Sequence, residues 1–465
     1  SFNVNHCKKQ RTIVSATREP KRRPQPGIFD AATGSKATIR YNNKVLHSLK
    51  TFNNKVLIFT VLAIFAIGLL ALSSAASGAF FAKQLLYGLI SAIIVFVLYR
   101  IFDLNFFQKN ATIIYFLNIA LLLVLKALGA TVLGSQRWLK LGPVSIQPSE
   151  IAKVCLIIYL AAWLSKNPIQ GYKDILKTLA IVALPASLVL IQPDLGTTLV
   201  YVAICFGMLF WAGAKLIELL LLVSPLLTAI FSSFGTELIT YNHGNLHFAL
   251  TLPFLIFITV LLAVTAIYYK AWRSPWLSTN IFGLVSFNLL IMVFKTIAWS
   301  FLKEYQQKRL TIFVDPYSDP LGAGYHIIQS LYAIGSGGIW GQGFKAGNLT
   351  QGRFVPEQHT DFVFSAIGEE FGFIGTGLII VLYIVLCLNI ITAAKNSKSK
   401  FSALISIGTF SMLFFHIFVN IGMNLSVMPI TGVPLPFFSY GGSSLLVDLF
   451  LVSLVLKSSK NLAYK

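Results

Sequence analysis

Runs of roughly twenty apolar residues, broken by short polar stretches, recur along almost the whole chain. Each is long enough to cross a ~30 Å hydrocarbon core as a helix. The pattern places twelve spans near 56–74, 81–99, 111–130, 149–165, 175–191, 196–213, 215–234, 247–269, 277–301, 361–394, 401–424 and 438–457. Helices are expected because a lipid-exposed segment must close its backbone hydrogen bonds internally. The alternating ~10-residue segments of a transmembrane barrel are not seen. The expected fold is an all-α, polytopic membrane bundle.

Two stretches interrupt this rhythm. Residues 303–360 form a long polar connection, glycine-studded from Asp315 onward, that ends at Asp361, where loop becomes helix. A connection of that length without structure of its own points to function. Residues 235–302 lack functional-looking polar groups apart from Lys295 and read as a helical hairpin added to the bundle.

Composition agrees with a membrane location. Of 465 residues, 56% are hydrophobic and 11% charged, with a mean hydropathy of +0.74, against about 25% charged in soluble domains. The net charge of +21 is unevenly spread. With the N-terminus in the cytoplasm, the arm, inner loops and tail hold 26 of the Lys and Arg residues and the outer side nine. That bias puts both termini inside and the long loop outside, and it accounts for the charge without nucleic-acid binding. Residues 1–54 form a basic arm that reads as disordered and solvated, or as the remnant of an organelle-targeting segment. Residues 458–465 form a cytoplasmic tail. Cys7, Cys155, Cys205 and Cys387 show neither disulfide nor metal spacing.

Ionisable groups at membrane depth are costly, and each needs an account. Glu150 and Lys153 stand three residues apart on one helix face and should pair. They serve either as a polar element beside a substrate cavity or as a structural ion pair. Arg137, Trp138 and Lys140 precede them, placed to meet an anionic lipid head group. Asp194, in Gln192-Pro-Asp-Leu-Gly-Thr197, reads first as a helix cap and second as a supporting residue. Asp361 could likewise cap its helix or act as a catalytic carboxylate, with His359 beside it. Glu369 and Glu370 lie about 12–13 Å further along that helix and must find partners. Asn420 and Asn424 share a helix face. The Pro- and Gly-rich stretch from Met428 to Ser444 then breaks the helix and reads as the wall of a polar chamber.

Six strings, in order, carry a resemblance: GSQRWLKLGPVSIQPSEIAK, QPDLGTT, DPYSDPLGAGYHIIQS, AIGSGGIWGQG, FVPEQHTDFVFSAIGEEFGFIG and NIGMN…GVPLPFFSYGGSSL. The chain resembles the SEDS family (shape, elongation, division, sporulation; the FtsW/RodA superfamily) over most of residues 55–457. The LGAGYHIIQS string favours its RodA-like elongation branch over the division branch. The resemblance implies a peptidoglycan glycosyltransferase that polymerises lipid II, an undecaprenyl-pyrophosphate disaccharide-pentapeptide, at the outer face of the cytoplasmic membrane. It implies a class B penicillin-binding protein as transpeptidase partner, alongside other elongation or division proteins. The family's essential aspartate matches Asp361, its intramembrane Glu/Lys pair Glu150 and Lys153, and its loop tryptophan Trp138. The family usually has ten spans, so the 235–302 hairpin is a departure, as is the basic arm.

Glycosyl transfer needs a base for the acceptor hydroxyl and cations for the leaving pyrophosphate. Asp361 suits the first role, and Arg137, Lys140, Lys345 and Arg353 are candidates for the second. No cofactor is certain, and a divalent cation is compatible with the pyrophosphate. Two other readings compete: a lipid II flippase, using the buried carboxylates and the broken segment, and a non-catalytic scaffold for a synthase partner. A plastid-type membrane is the expected location if the lineage is photosynthetic.

Overall fold

The computed structural model describes residues 54–460, apart from 77, 129, 133–134, 142–143, 217, 221, 244–245, 323 and most of 225–314. The basic arm and most of the 235–302 segment, Lys295 included, therefore lie outside the described residues, as do most residues of the spans expected near 247–269 and 277–301.

Three helices come first: α1 (Asn54–Ala75), α2 (Gly78–Ile101) and α3 (Leu104–Leu128). A three-stranded antiparallel sheet follows, β1 (Ala130–Val132), β2 (Ser135–Leu141) and β3 (Val144–Ile146), with β2 in the centre. Then come α4 (Pro148–Lys166), α5 (Tyr172–Ile191) and α6 (Leu195–Ala212). Among the described residues, nine helices are long and apolar enough to cross a membrane. The chain is a multi-pass membrane protein with an all-helical spanning bundle.

The expected helical hairpin begins differently. Residues Glu237–His243 (β4) and Leu246–Thr251 (β5) pair as an antiparallel ribbon, with His243 opposite Leu246. The cause is local: ELITYNH and LHFALT mix β-branched and aromatic residues, and Gly244-Asn245 between them are types favoured in hairpin connections. The long polar loop is also not structureless. It holds a 3₁₀ turn at Pro316–Ser318, a 13-residue helix α7 (Tyr325–Gly337) and a short turn α8 (Asn348–Gln351). Helix α7 forms because Tyr325-His-Ile-Ile-Gln-Ser-Leu-Tyr-Ala repeats apolar positions at helical spacing. Its Ile327, Ile328 and Ala333 are buried as a result.

The C-terminal part holds α9 (Val363–Asn396), α10 (Lys400–Asn424) and α11 (Gly442–Lys460). Helix α10 is the hub, packing on α4, α6, α9 and α11. Its spanning window is 72% buried and that of α4 is 78%, whereas only 17% of α2 is covered. Helices α4 and α10 can therefore carry polar groups that α2 could not. Helix α9 is bent at Gly372 (φ 63°, ψ −158°), a backbone geometry glycine adopts readily.

Candidate active site at the Asp361 turn

Asp361 sits in a tight turn, half-buried, two residues before α9. Its N–H donates to the carbonyl of Glu357 (3.1 Å), which also accepts from Thr360 and Phe362. The Asp361 carbonyl accepts from Asn420 Nδ2 (3.0 Å) and Asn424 Nδ2 (3.1 Å), two residues one turn apart on α10. Asn424 Oδ1 accepts the N–H of Ser365 (3.2 Å). The exposed donors at the start of α9 are thus met in part by Asn424, and no side chain caps the helix at its N-cap, Phe362.

The neighbouring residues are fixed to the segment before α11. Ser439 Oγ donates to the Thr360 carbonyl (2.6 Å), and the Tyr440 N–H donates to the His359 carbonyl (3.0 Å). Gln84 binds this same segment, donating to Ser439 O (3.2 Å) and accepting from Gly441 N (3.1 Å). The His359 ring lies 4.7 Å from Phe80 and 6.0 Å from Tyr440. Burial there lowers the His359 pKa from its ordinary value, with Glu357 acting weakly the other way. The carboxylate of Asp361 borders Gly432, whose φ is +70° and whose added Cβ would sit 3.6 Å from Asp361 Oδ2. The Met428–Ser444 break therefore does form one wall beside the carboxylate.

The paired acids on α9 found their partners. Glu369 accepts from the N–H groups of Leu349 (2.7 Å) and Thr350 (2.8 Å) and from the Thr350 hydroxyl (2.5 Å). Glu370 accepts from the Ser74 hydroxyl and from Gln351 Nε2 (3.2 Å). Together they clamp α8 between α9 and α1. Gln358 Nε2 adds bonds to Ala75 O (2.6 Å) and Thr350 O (3.0 Å).

Deeper in the bundle, Lys153 Nζ lies 2.7 Å from Glu150 Oε1 and 3.2 Å from His416 Nε2. All three are buried, and so is Asp448 of α11, within electrostatic reach of Lys153 and Glu150. Lys153 donating to His416 requires that ring nitrogen to be unprotonated. His416, Asn420 and Asn424 follow at four-residue intervals, so one face of α10 runs as a polar line from the Lys153 pair to the Asp361 carbonyl. His416, Asp448, Ser439 and Tyr440 were not among the expected site residues. The first two are ionisable groups inside apolar spans and could have been found on that ground alone.

Other expected residues are placed elsewhere. Asp194 is the N-cap of α6, accepting from Thr197 N (3.2 Å) and Thr197 Oγ1 (3.0 Å), and it also accepts from Gln147 Nε2 (3.1 Å). Arg353 is exposed with a φ of +55°, and Lys345 lies over the Phe344 ring at 5.5 Å. Trp138 is a half-buried residue of β2, the strand whose backbone also includes Arg137 and Lys140. The side chains of Arg137 and Lys140 lie outside the described residues. Among the described residues, no group of three or more His, Cys, Asp or Glu side chains could hold a metal ion.

The fold and this site define a class: a multi-pass helical membrane protein with an aspartate held by asparagines at one end of its bundle. The family model FTSW_RODA_SPOVE, described as a cell cycle protein, matches residues 49–244 and 249–464. The chain belongs to that family. It is 35% identical over 408 residues to the peptidoglycan glycosyltransferase RodA of Treponema pallidum (strain Nichols), covering 84% of this chain and 93% of the relative. It is 33% identical over 343 residues to the peptidoglycan glycosyltransferase MrdB of Escherichia coli (strain K12), covering 73% and 75%. Among solved structures, it matches a chain from work on the coordination of polymerization and crosslinking by a peptidoglycan synthase complex. That match has a TM-score of 0.63 at 28% identity, covering 89% of this chain and 99% of the other.

Proposed function

We propose that this protein is a peptidoglycan glycosyltransferase that polymerises lipid II at the outer face of the cytoplasmic membrane, with Asp361 as general base. The observation that carries the reading is the division of labour at the turn. Asn420 and Asn424 hold the Asp361 backbone and Asn424 meets a helix-start donor. The Asp361 carboxylate itself borders the broken segment at Gly432.

In this reaction the acceptor 4-hydroxyl oxygen attacks the anomeric carbon of the donor. Asp361 takes the hydroxyl proton, the bond to pyrophosphate breaks, and its electron pair leaves with undecaprenyl pyrophosphate. Single displacement of an α-linked donor gives a β bond. Arg353, with Arg137 and Lys140 of the β2 strand, supplies the cations for the leaving group. The glycosyltransferase names of the relatives support the reaction class. The relative named RodA and the LGAGYHIIQS string support an elongation role. The likeness to a chain of a synthase complex supports a class B penicillin-binding protein as partner. The charge bias along the sequence supports cytoplasmic termini.

The test is polymer formation from labelled lipid II, with purified wild type beside Asp361→Asn and the partner present, resolved on gels. Asp361→Asn is expected to lose about 10²- to 10⁴-fold in rate while keeping its fold. Equal polymer from both would remove Asp361 from catalysis. No polymer from either, with folding and partner binding intact, would favour the flippase or scaffold readings.

A further inference from the structure

Helix α9 has 34 residues, about 51 Å at 1.5 Å per residue, well beyond a ~30 Å hydrocarbon core. It is broken at Gly372, and the part from Phe373 to Asn396 measures roughly 36 Å, enough to span alone. The hydrocarbon boundary on the Asp361 side therefore falls near the break.

The loop after α7 is bound into that break. Gln342 N donates to Glu369 O (2.9 Å) and Gly343 N to Glu370 O (3.0 Å), while Phe373 N donates to Gly338 O (2.9 Å) and Ile374 N to Ile339 O (3.2 Å). The loop thus takes up the carbonyls and N–H groups that the broken helix leaves open. This needs backbone lying on backbone: a Cβ on Gly341 would come within 2.1 Å of Glu370 O, and one on Gly372 within 2.4 Å of Gly341 N. What the docked loop presents outward is apolar. Trp340 is 80% exposed and Ile339 63%, beside Phe373 at 73% and Ile374 at 49% on the spanning helix. Phe344 is exposed, with Lys345 against its ring.

We propose that residues 338–345 are a phospholipid-binding edge, with Ile339 and Trp340 inserted at the boundary and Lys345 directed to head-group phosphate. The patch is continuous with Phe373 and Ile374, which belong to a membrane span, so lipid already lies against its lower rim. GIWGQGFK has no acidic residue. An indole and an exposed lysine beside an aromatic ring are side chains that this zone selects. The contact fixes the height of the loop, and with it α8 and the Glu369–Glu370 clamp, relative to the bilayer. It does not depend on the proposed reaction.

The test uses full-length protein in phospholipid nanodiscs, taking the difference in tryptophan emission between wild type and Trp340→Phe. Lipids brominated near the head group should quench most of that difference, lipids brominated deep in the chain less, and aqueous acrylamide little. Quenching by acrylamide with none from either bromolipid would overturn the proposal and leave the patch to a soluble partner. Quenching by neither, as a protein contact covering Trp340 would give, would overturn it as well. The phenylalanine variant keeps the apolar ring at an exposed position, so its folding is not in question.

Discussion

The amide of Asn424 bridges the turn before α9: its nitrogen lies 3.1 Å from the Asp361 carbonyl, and its oxygen accepts from Ser365 at 3.2 Å. Asn424→Ala removes both bonds, leaving the Asp361 carbonyl to Asn420 and the Ser365 N–H to the Phe362 carbonyl. It is expected to cost about 0.5–1.5 kcal/mol per bond lost and to lower the yield of polymer. Melting in detergent and the lipid II gel assay check the two parts. Asn420→Ala should resemble it in direction, since it frees the Val433 carbonyl as well as a bond to Asp361.

The Glu150–Lys153 pair predicts an asymmetry between single and double substitution. Glu150→Gln or Lys153→Met alone leaves a buried charge uncompensated and should destabilise by about 3–5 kcal/mol. Replacing both at once should recover much of that loss, because the desolvation cost disappears with the charges. A double-mutant cycle of melting temperatures decides it, and additive losses would show that the pair is not coupled.

Two glycines on the α7–α9 side make a matched comparison. Gly341 has a φ of +83° and its Cβ would meet Glu370 O at 2.1 Å, whereas a Cβ on Gly377 meets nothing within 4 Å. Gly341→Ala should undock the loop, seen as faster hydrogen exchange at the Phe373 and Ile374 amides. Gly377→Ala, in a helix interior, should be neutral or stabilising by about 0.5–1 kcal/mol.

His359 gives a pH dependence whose sign can be worked out. Burial lowers its folded-state pKa below 6.5, so in the window just under that value the unfolded chain binds more protons than the folded one. Stability attributable to His359 is present above pH 6.5 and is lost as the pH falls below it. Melting temperatures of wild type should drop more than those of His359→Gln between neutral pH and the mildly acidic range. Parallel curves for the two proteins would contradict the assignment.

Most of the spanning bundle was legible because twenty-residue apolar runs have few other structural outcomes. The Glu150–Lys153 pair and the shared face of Asn420 and Asn424 were legible for a related reason: helical spacing converts directly into proximity. The β4–β5 ribbon was missed because an apolar stretch of ELITYNHGNLHFALT reads as span or strand until its pairing is seen. Helix α7 was hidden by the glycines on either side of it. The seating of the Asp361 turn could not be read from its own neighbourhood, because Asn424, which donates to its carbonyl, lies 63 positions later. The docking of residues 338–343 into the Gly372 break was equally out of reach, since nothing local marks a loop as the partner of a broken helix.

The bonds that seat His359, Thr360 and Asp361 come from Asn420, Asn424, Ser439 and Tyr440, all synthesised after them. When Asp361 leaves the ribosome, Glu357 is there to accept its N–H, but the two asparagines that donate to its carbonyl have not yet been made. The early helices can insert and pack, but the turn takes its final shape only when the last spanning helix closes the bundle. A chain released before residue 420 would therefore keep much of its membrane architecture and have no assembled site. Completion of synthesis itself then sets the turn that carries Asp361.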